Sequence, residues 1–505
     1  MLIKVFQSNI GLTDWLDAIS GSIGYLLPEL TLVITLVSLI LYDLLFENNK
    51  NIGLATISFV GLCFTFFLLF NQWSPNTVAL VFFDDMLKLT NFGVILKMVF
   101  GGAAVLTVLM ILVCNTEDRR KMLGSSENLV MLMTILLGSF FMTMTMNLIF
   151  IYLSIELVSI GSYLMTALNI NKRRSEAALK YLIFGAVASA LMLYGMSWLY
   201  GFTGTLQLDS DTFLAGLSQA PTMPLTIALL LTLSGFLFKL GAFPMHIWSP
   251  DVYEAAPTPV VSFFSVVPKI AAVSVIFRIV QLTIGSDFDW LLILTVVSIA
   301  SMVVGNFSAI WQKDAKRMLA YSSIAHAGFL LVGIVAQSET GNEAMLFYAL
   351  IYALMNYAAF WLIQLVENST GSSSMEDWKG FGRVYPFVGI LLLITMIALT
   401  GLPPTAGFNA KLYIFSALWE SYVDGNDQFI LWLFILGLFN TVVSLFYYLK
   451  IPFLIFFKDP NTQIIEKNPE RVTVVIGTFL VLPLLVWFFR SDWFVDLMNT
   501  VNFAF

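Results

Sequence analysis

Leu391-Leu-Leu-Ile-Thr-Met-Ile-Ala-Leu-Thr400-Gly401-Leu402-Pro403-Pro404-Thr405-Ala406-Gly407-Phe408-Asn-Ala-Lys411 is the stretch on which the fold turns. It lies in an apolar run, 385–419, that is too long for one simple membrane helix. The Gly-Leu-Pro-Pro core predicts two half-helices joined by unwound backbone, with a lysine just beyond. Non-helical backbone at membrane depth is tolerated only where protein or a water-filled cavity surrounds it. Interrupted helices of this kind point to transport paths. Gly241-Ala242-Phe243-Pro244 predicts a second break, in the run 225–247, and Lys239 stands beside it.

The rest of the chain agrees that the solvent is lipid. Of 505 residues, 59% are hydrophobic and 11% charged, and mean hydropathy is +0.87. A soluble domain carries about 25% charged residues, so this chain cannot cover a water-facing surface. Net charge is −7 without a basic patch, which removes a nucleic-acid partner. Cys63 and Cys114 are two isolated thiols in apolar runs, too few for a cluster, a four-ligand zinc site or a disulfide framework. With no dinucleotide fingerprint and no P-loop, no cofactor and no metal are expected in this chain. The 45 Phe and 22 Met read as lipid-facing and packing residues.

Apolar runs of about 20 residues read as spans. They fall near 23–43, 52–70, 91–114, 128–146, 148–168, 177–200, 225–247, 259–280, 290–311, 318–336, 343–366, 385–419, 429–450 and 472–490. The expected fold is an all-α polytopic membrane protein of about fourteen transmembrane helices. The N-terminus, with Lys4, Asp14 and Asp17, does not read as a cleavable signal. Loops after odd-numbered spans hold sixteen Lys and Arg, from Lys50, Arg119, Arg120 and Lys121 through Lys172, Arg173 and Arg174 to Lys467 and Arg471. The other side has Lys4 and Lys88, with Arg278 and Arg490 at helix ends. The positive-inside rule then makes the basic side cytoplasmic and puts both termini opposite.

The chain also resembles itself. Glu176-Ala-Ala-Leu-Lys-Tyr181 matches Glu343-Ala-Met-Leu-Phe-Tyr348 at an offset of 167 residues, and Lys239 and Lys411 lie 172 apart. Tyr152-Leu-Ser-Ile-Glu156 pairs with Tyr321-Ser-Ser-Ile-Ala-His326 near the same offset. A duplicated unit of five helices, being odd, must insert its second copy inverted. The expected regions are an N-terminal three-helix region (1–127), repeats of helices 4–8 (128–280) and 9–13 (290–451), and a C-terminal helix and tail (452–505).

Ionisable residues inside spans are the functional candidates: Glu156, Lys180, Lys239, Lys269 and Lys411, with His326, and His246 where helix seven ends. Each lysine at a helix centre costs roughly 2.5–3.5 kcal/mol on insertion scales. Hydration, acidic partners or deprotonation must offset that, and all three suit a proton path. Desolvation disfavours the charged form of lysine and a nearby carboxylate favours it. Glu156 moving against Lys239 or Lys180 could therefore gate a proton; the sequence leaves both partners open. Pro268 before Lys269 frees a backbone carbonyl. Lys97 reads as a snorkelling or subunit-contact residue, and Asp84-Asp85 as a solvated pair before helix three.

Ser234-Gly-Phe-Leu-Phe-Lys239-Leu-Gly-Ala-Phe-Pro244-Met-His246-Ile-Trp248-Ser-Pro250-Asp251-Val-Tyr253-Glu-Ala-Ala-Pro257-Thr-Pro259 resembles the signature of the antiporter-like subunits of complex I, the proton-pumping NADH:quinone oxidoreductase. Ala320-Tyr-Ser-Ser-Ile-Ala-His326-Ala-Gly-Phe and Leu399–Lys411 resemble two more motifs of that family, which includes multisubunit Na+/H+ antiporters. Length and Lys411 make the chain similar to the N-type subunit. The resemblance implies a non-redox, proton-translocating membrane-arm subunit in a bacterial inner membrane. NADH, FMN, Fe-S clusters and quinone would then belong to partner subunits. Its neighbours would be an M-like antiporter subunit, small K-like and J-like subunits, and lipids. The family's helix-five Glu maps to Glu156, and its lysines to Lys180, Lys239, Lys269 and Lys411. The alternative is a subunit of a cation/proton antiporter.

Overall fold

The computed structural model describes residues 20–503 apart from 47–49, 75–78, 84, 115–121, 124–125, 169–171 and 460–467. Lys4, Asp14, Asp17, Asp84, Arg119, Arg120, Lys121 and Lys467 lie outside the described residues, as do the side chains of Lys50, Lys172 and Arg173.

Among the described residues, twelve helices are long and apolar enough to cross a membrane, and two shorter apolar ones accompany them. The N-terminal group is α1 (Leu27–Leu45), α2 (Lys50–Gln72) and α3 (Asn91–Val113). Then come α4 (Glu127–Met142), α5 (Leu148–Ala167), α6 (Lys172–Thr203), α7 (Thr222–Leu240) and α8 (Thr258–Thr283). A second series follows: α9 (Trp290–Ile310), α10 (Ala315–Val335), α11 (Glu339–Thr370), α12 (Pro386–Thr400), α13 (Ala406–Gly425) and α14 (Gln428–Tyr448). Last is α15 (Arg471–Phe489).

Burial sorts these helices into a core and a lipid-facing ring. The apolar window of α8 is entirely buried, and those of α10 and α11 nearly so. In α1, α2, α6 and α15 about a third or less is buried, and the rest shows rows of exposed Leu, Ile, Val and Phe. Such all-round apolar helices are stable only against lipid or a neighbouring protein. α8 packs on α3, α4, α7, α10 and α11, so it forms the axis of the chain.

Both expected breaks are present. α7 ends at Gly241 (φ +68°), and a short helix, Trp248–Ala255, follows before α8. α12 ends at Gly401 (φ +82°), and α13 restarts at Ala406. Left-handed backbone favours glycine, and close approach adds a second demand. A Cβ on Gly241 would lie 3.2 Å from Lys269 Nζ; one on Gly401 would lie 2.6 Å from Lys411 Cδ. Each break therefore accommodates a lysine from the following helix.

The structure adds features the periodicity did not show. β1 (Leu80–Phe82) and β2 (Leu87–Leu89) form an antiparallel hairpin before α3, and a short amphipathic helix, Asp211–Gln219, follows α6. Asp85 sits exposed in the hairpin turn. α4, at 16 residues, spans about 24 Å, short of a ~30 Å hydrocarbon core. Arg278 of α8 is buried and donates to the carbonyls of Met142 and Thr145 (2.7 Å to the latter), satisfying backbone that α4 leaves open. It is therefore a buried clamp rather than an interfacial charge.

Candidate functional site

The site is a series of basic groups on the axis of the bundle. Lys239, on the last turn of α7, is 1% exposed. Its Nζ has no hydrogen-bond partner among the described residues and sits 5.4 Å and 5.5 Å from the Tyr163 and Tyr181 ring centroids. Those rings hold a cation electrostatically. Glu156 of α5 lies within electrostatic range of Lys239. Its Oε1 also has no hydrogen-bond partner among the described residues. Glu156 is only half-buried, on a helix face with exposed Leu153 and Ile160.

Lys269 sits one residue past Pro268, on the buried α8. Its Nζ donates to Ser323 Oγ (2.8 Å) and contacts the Ser323 carbonyl (3.3 Å), with the Tyr253 ring 5.8 Å away. His326, one turn further along α10, holds both ring nitrogens against phenols: Nδ1 to Tyr348 Oη at 2.6 Å and Nε2 to Tyr448 Oη at 3.0 Å. Tyr448 in turn contacts Ser322. His326 lies within electrostatic range of Lys269 on one side and Lys411 on the other. Lys411 Nζ donates to Thr400 O (2.8 Å), the carbonyl at the end of α12, and sits over the Phe329 ring at 4.5 Å. Lys411 also lines a cavity of about 620 Å³ that reaches Glu420.

The structure thus places Glu156 within electrostatic range of Lys239, and His326 within range of both Lys269 and Lys411. The other two candidates, Lys180 and His246, have different surroundings. Lys180 does not lie deep in a span: α6 begins at Lys172, and the Lys180 side chain is 44% exposed. It pairs with Glu176 and Asp251, each at 2.9 Å, and Asp251 also pairs with Arg317 at 2.9 Å. Arg317 reaches Glu254 at 2.6 Å. Burial alone would raise the Asp251 pKa, but the hydrogen bond and charge of Lys180, with Arg317, hold it below the ordinary carboxylate value. Of the two partners considered for Glu156, Lys239 is the one the geometry supports. His246 stacks on Phe243 (5.8 Å between ring centroids), and its Nδ1 makes no hydrogen bond among the described residues.

The structure corrects the reading of Lys97 and adds a partner, Glu29, that the sequence did not single out. Lys97 is fully buried and pairs with Glu29 of α1 at 2.6 Å, beside Met144 Sδ at 2.8 Å. It neither snorkels nor faces outward. Glu29 stands 68 positions earlier, so no local pattern could signal the pair.

A bundle of apolar helices with two broken helices and buried lysines defines a class of polytopic membrane protein. The comparisons place this chain within it. Residues 145–443 match the family described as NADH:quinone oxidoreductase/Mrp antiporter, transmembrane. NADH-quinone oxidoreductase subunit N of Chlorobium chlorochromatii is 35% identical over 496 residues, covering 96% of this chain and 95% of that protein. NAD(P)H-quinone oxidoreductase subunit 2 of Synechocystis is 37% identical, over 92% of this chain and 87% of that protein. Among solved structures, a chain of respiratory complex I from Thermus thermophilus superposes with a TM-score of 0.77 at 27% identity, covering 94% of this chain and all of the other. A chain of the Mrp complex from a Dietzia species shares the fold (TM-score 0.77, covering 94% and 96%) at 17% identity. The chain belongs to the NADH:quinone oxidoreductase/Mrp antiporter transmembrane family.

Proposed function

We propose that this chain is the N-type, proton-translocating membrane-arm subunit of a respiratory NADH:quinone oxidoreductase. It moves protons while redox chemistry, with NADH, FMN, Fe-S clusters and quinone, proceeds in partner subunits. One observation carries this reading: Glu156 lies within electrostatic range of Lys239, Lys269 packs against the Gly241 break two residues past Lys239, and His326 lies within range of both Lys269 and Lys411.

In this reading Glu156 gates Lys239. A carboxylate nearby favours the ammonium; withdrawing it, or neutralising it from a neighbouring subunit, favours release. Ser323, Tyr253 and the His326 phenols then offer hydroxyls along which a proton passes to Lys269 and on to Lys411. The half-exposed position of Glu156 suits contact with an M-like, K-like or J-like neighbour. Lys180 serves with Asp251 and Arg317 as a charged collar on the basic face, and His246 lies off the line. The membrane potential to be overcome is about 2.3 kcal/mol per charge per 100 mV, so such a gate is needed.

The finer architecture belongs to the same proposal. The twelve long helices, with α4 and with α12–α13 taken as one broken crossing, make fourteen passes. Inverted repeats over 128–280 and 290–451, flanked by 1–127 and 452–505, are supported by the paired lysine-covered glycines at 241 and 401. The basic loops would face the cytoplasm of a bacterial inner membrane, with both termini opposite.

The test is substrate-driven proton pumping in native membrane vesicles carrying Lys239→Ala, with assembly checked on a native gel. Pumping lost from an intact complex is the expected result; full pumping would exclude the gate. The Mrp-like fold keeps a cation/proton antiporter as the alternative, which requires proton movement to depend on an exchanged cation.

A further inference from the structure

We propose that the polar chamber between the basic-face ends of α8 and α11 is the intake of this proton path, with Glu367 as its mouth carboxylate and Thr258, Ser262 and Ser265 as the hydroxyl ladder to Lys269. This inference rests on the proton reading above.

The chamber has a volume of about 220 Å³ and is lined by Arg174, Thr258, Lys316, Gln364, Glu367 and Asn368. At ~30 Å³ per molecule it has room for several waters. Gln364 marks it as wet. That side chain is 4% exposed, and its Nε2 donates to Met110 O at 2.8 Å. Its Oε1 has no partner among the described residues. A buried amide oxygen left dry costs about 1–3 kcal/mol, so water in the chamber is its natural partner. Glu367 accepts a 2.5 Å hydrogen bond from Thr258 Oγ1, and its other oxygen lies 3.8 Å from Lys316.

Thr258 begins a line. Positions 258, 262, 265 and 269 are spaced four, three and four apart, which puts them on one stripe of a helix. At ~1.5 Å per residue the stripe runs about 16 Å, roughly half of a ~30 Å hydrocarbon core. Phenols from α11 flank it. Tyr357 Oη, 2.9 Å from Thr107 Oγ1, faces Ser262. Tyr352 Oη donates to Ser265 O at 2.9 Å and faces Ser323, the hydroxyl that accepts from Lys269. Serines in apolar helices commonly bond back to their own backbone, as Ser262 does to Pro259 O and Ser265 to Ser262 O. Thr258 departs from that habit by donating to a carboxylate on another helix. Each hydroxyl accepts a proton on one side and releases its own on the other, so one proton moves inward and every hydroxyl is restored by rotation.

The experiment compares Glu367→Gln, Glu367→Asp, Thr258→Val and Lys269→Ala in the complete complex, in native membrane vesicles. It reads proton translocation per assembled complex. Glu367→Gln and Thr258→Val are expected to lower it about tenfold, the effect of losing one hydrogen-bonded transfer step, and Glu367→Asp to restore most of it. A merely structural role would reduce the amount assembled and leave translocation per complex unchanged, which overturns the proposal. Wild-type translocation in Glu367→Gln and Thr258→Val beside a defective Lys269→Ala removes the intake alone. Wild-type translocation in Lys269→Ala removes the relay beneath it as well. Thr258→Val conserves volume, so it carries the test if Glu367→Gln does not assemble.

Discussion

Lys97→Met should destabilise the protein, and adding Glu29→Leu should restore it. Both side chains are buried, 0% and 3% exposed, and the pair distance is 2.6 Å. Apart from the ion pair, neither Glu29 oxygen has a hydrogen-bond partner among the described residues. Removing the lysine alone therefore strands a carboxylate between α1 and α3. Breaking a buried pair in this way costs about 3–5 kcal/mol, whereas replacing both members by apolar residues is neutral or stabilising by about 1–4 kcal/mol. The surroundings suit a methionine: Met144 Sδ and the Phe140 ring (centroid 5.7 Å away) already line the ammonium. The assay is thermal melting of the detergent-extracted complex, with assembly read on a native gel. The single variant should melt lower and assemble less, and the double variant should approach wild type. A wild-type melt for Lys97→Met, or a double variant as unstable as the single, would refute the reasoning. Proton translocation per assembled complex should survive in the double variant, because this pair lies off the relay.

Further expectations concern the axis and its collar. Gly401→Ala forces a Cβ within 2.6 Å of Lys411 Cδ at a φ of +82°. It should cost about 1–2 kcal/mol in backbone strain alone and shift Lys411 off Thr400 O, read as lower pumping per complex. His326→Phe removes the imidazole from the Tyr348 hydroxyl while Tyr448 keeps Ser322; at about 1–3 kcal/mol for the one hydroxyl left unsatisfied, melting should fall and Lys411 should uncouple. Asp251 has a depressed pKa in the fold, so its contribution to stability is complete above the unfolded value of about 3.9. It is lost as pH falls through the folded value. A melting series from neutral to acid pH should show this loss, and Asp251→Asn should remove that component.

Much of the architecture was legible because lipid imposes a strict rule. Backbone in hydrocarbon must bond to itself, so each span declares itself by about 20 apolar residues. The breaks at Gly241 and Gly401 were equally readable, since glycine followed by proline cannot continue a helix. The limits of that reading show in particular residues. Lys180 falls inside the expected span 177–200, near its start, because an apolar window does not see α6 begin at Lys172. The hairpin of β1 and β2 is three residues a side, too short for a period to register.

The sequence by itself determined that this chain lives in a membrane and where its helices break, and it singled out Glu156, Lys180, Lys239, Lys269, Lys411, His326 and His246 as candidates. Tertiary structure alone decided which of these charges meet. It set Glu156 within electrostatic range of Lys239, His326 within range of Lys269 and Lys411, and Lys97 against Glu29 in a buried ion pair. The reason is physical: the cost of a charge in lipid depends on one residue and its depth, and so can be read along the chain. Its compensation depends on which helix faces stand opposite, and here those are separated by 68 positions in one pair and by 83 in another.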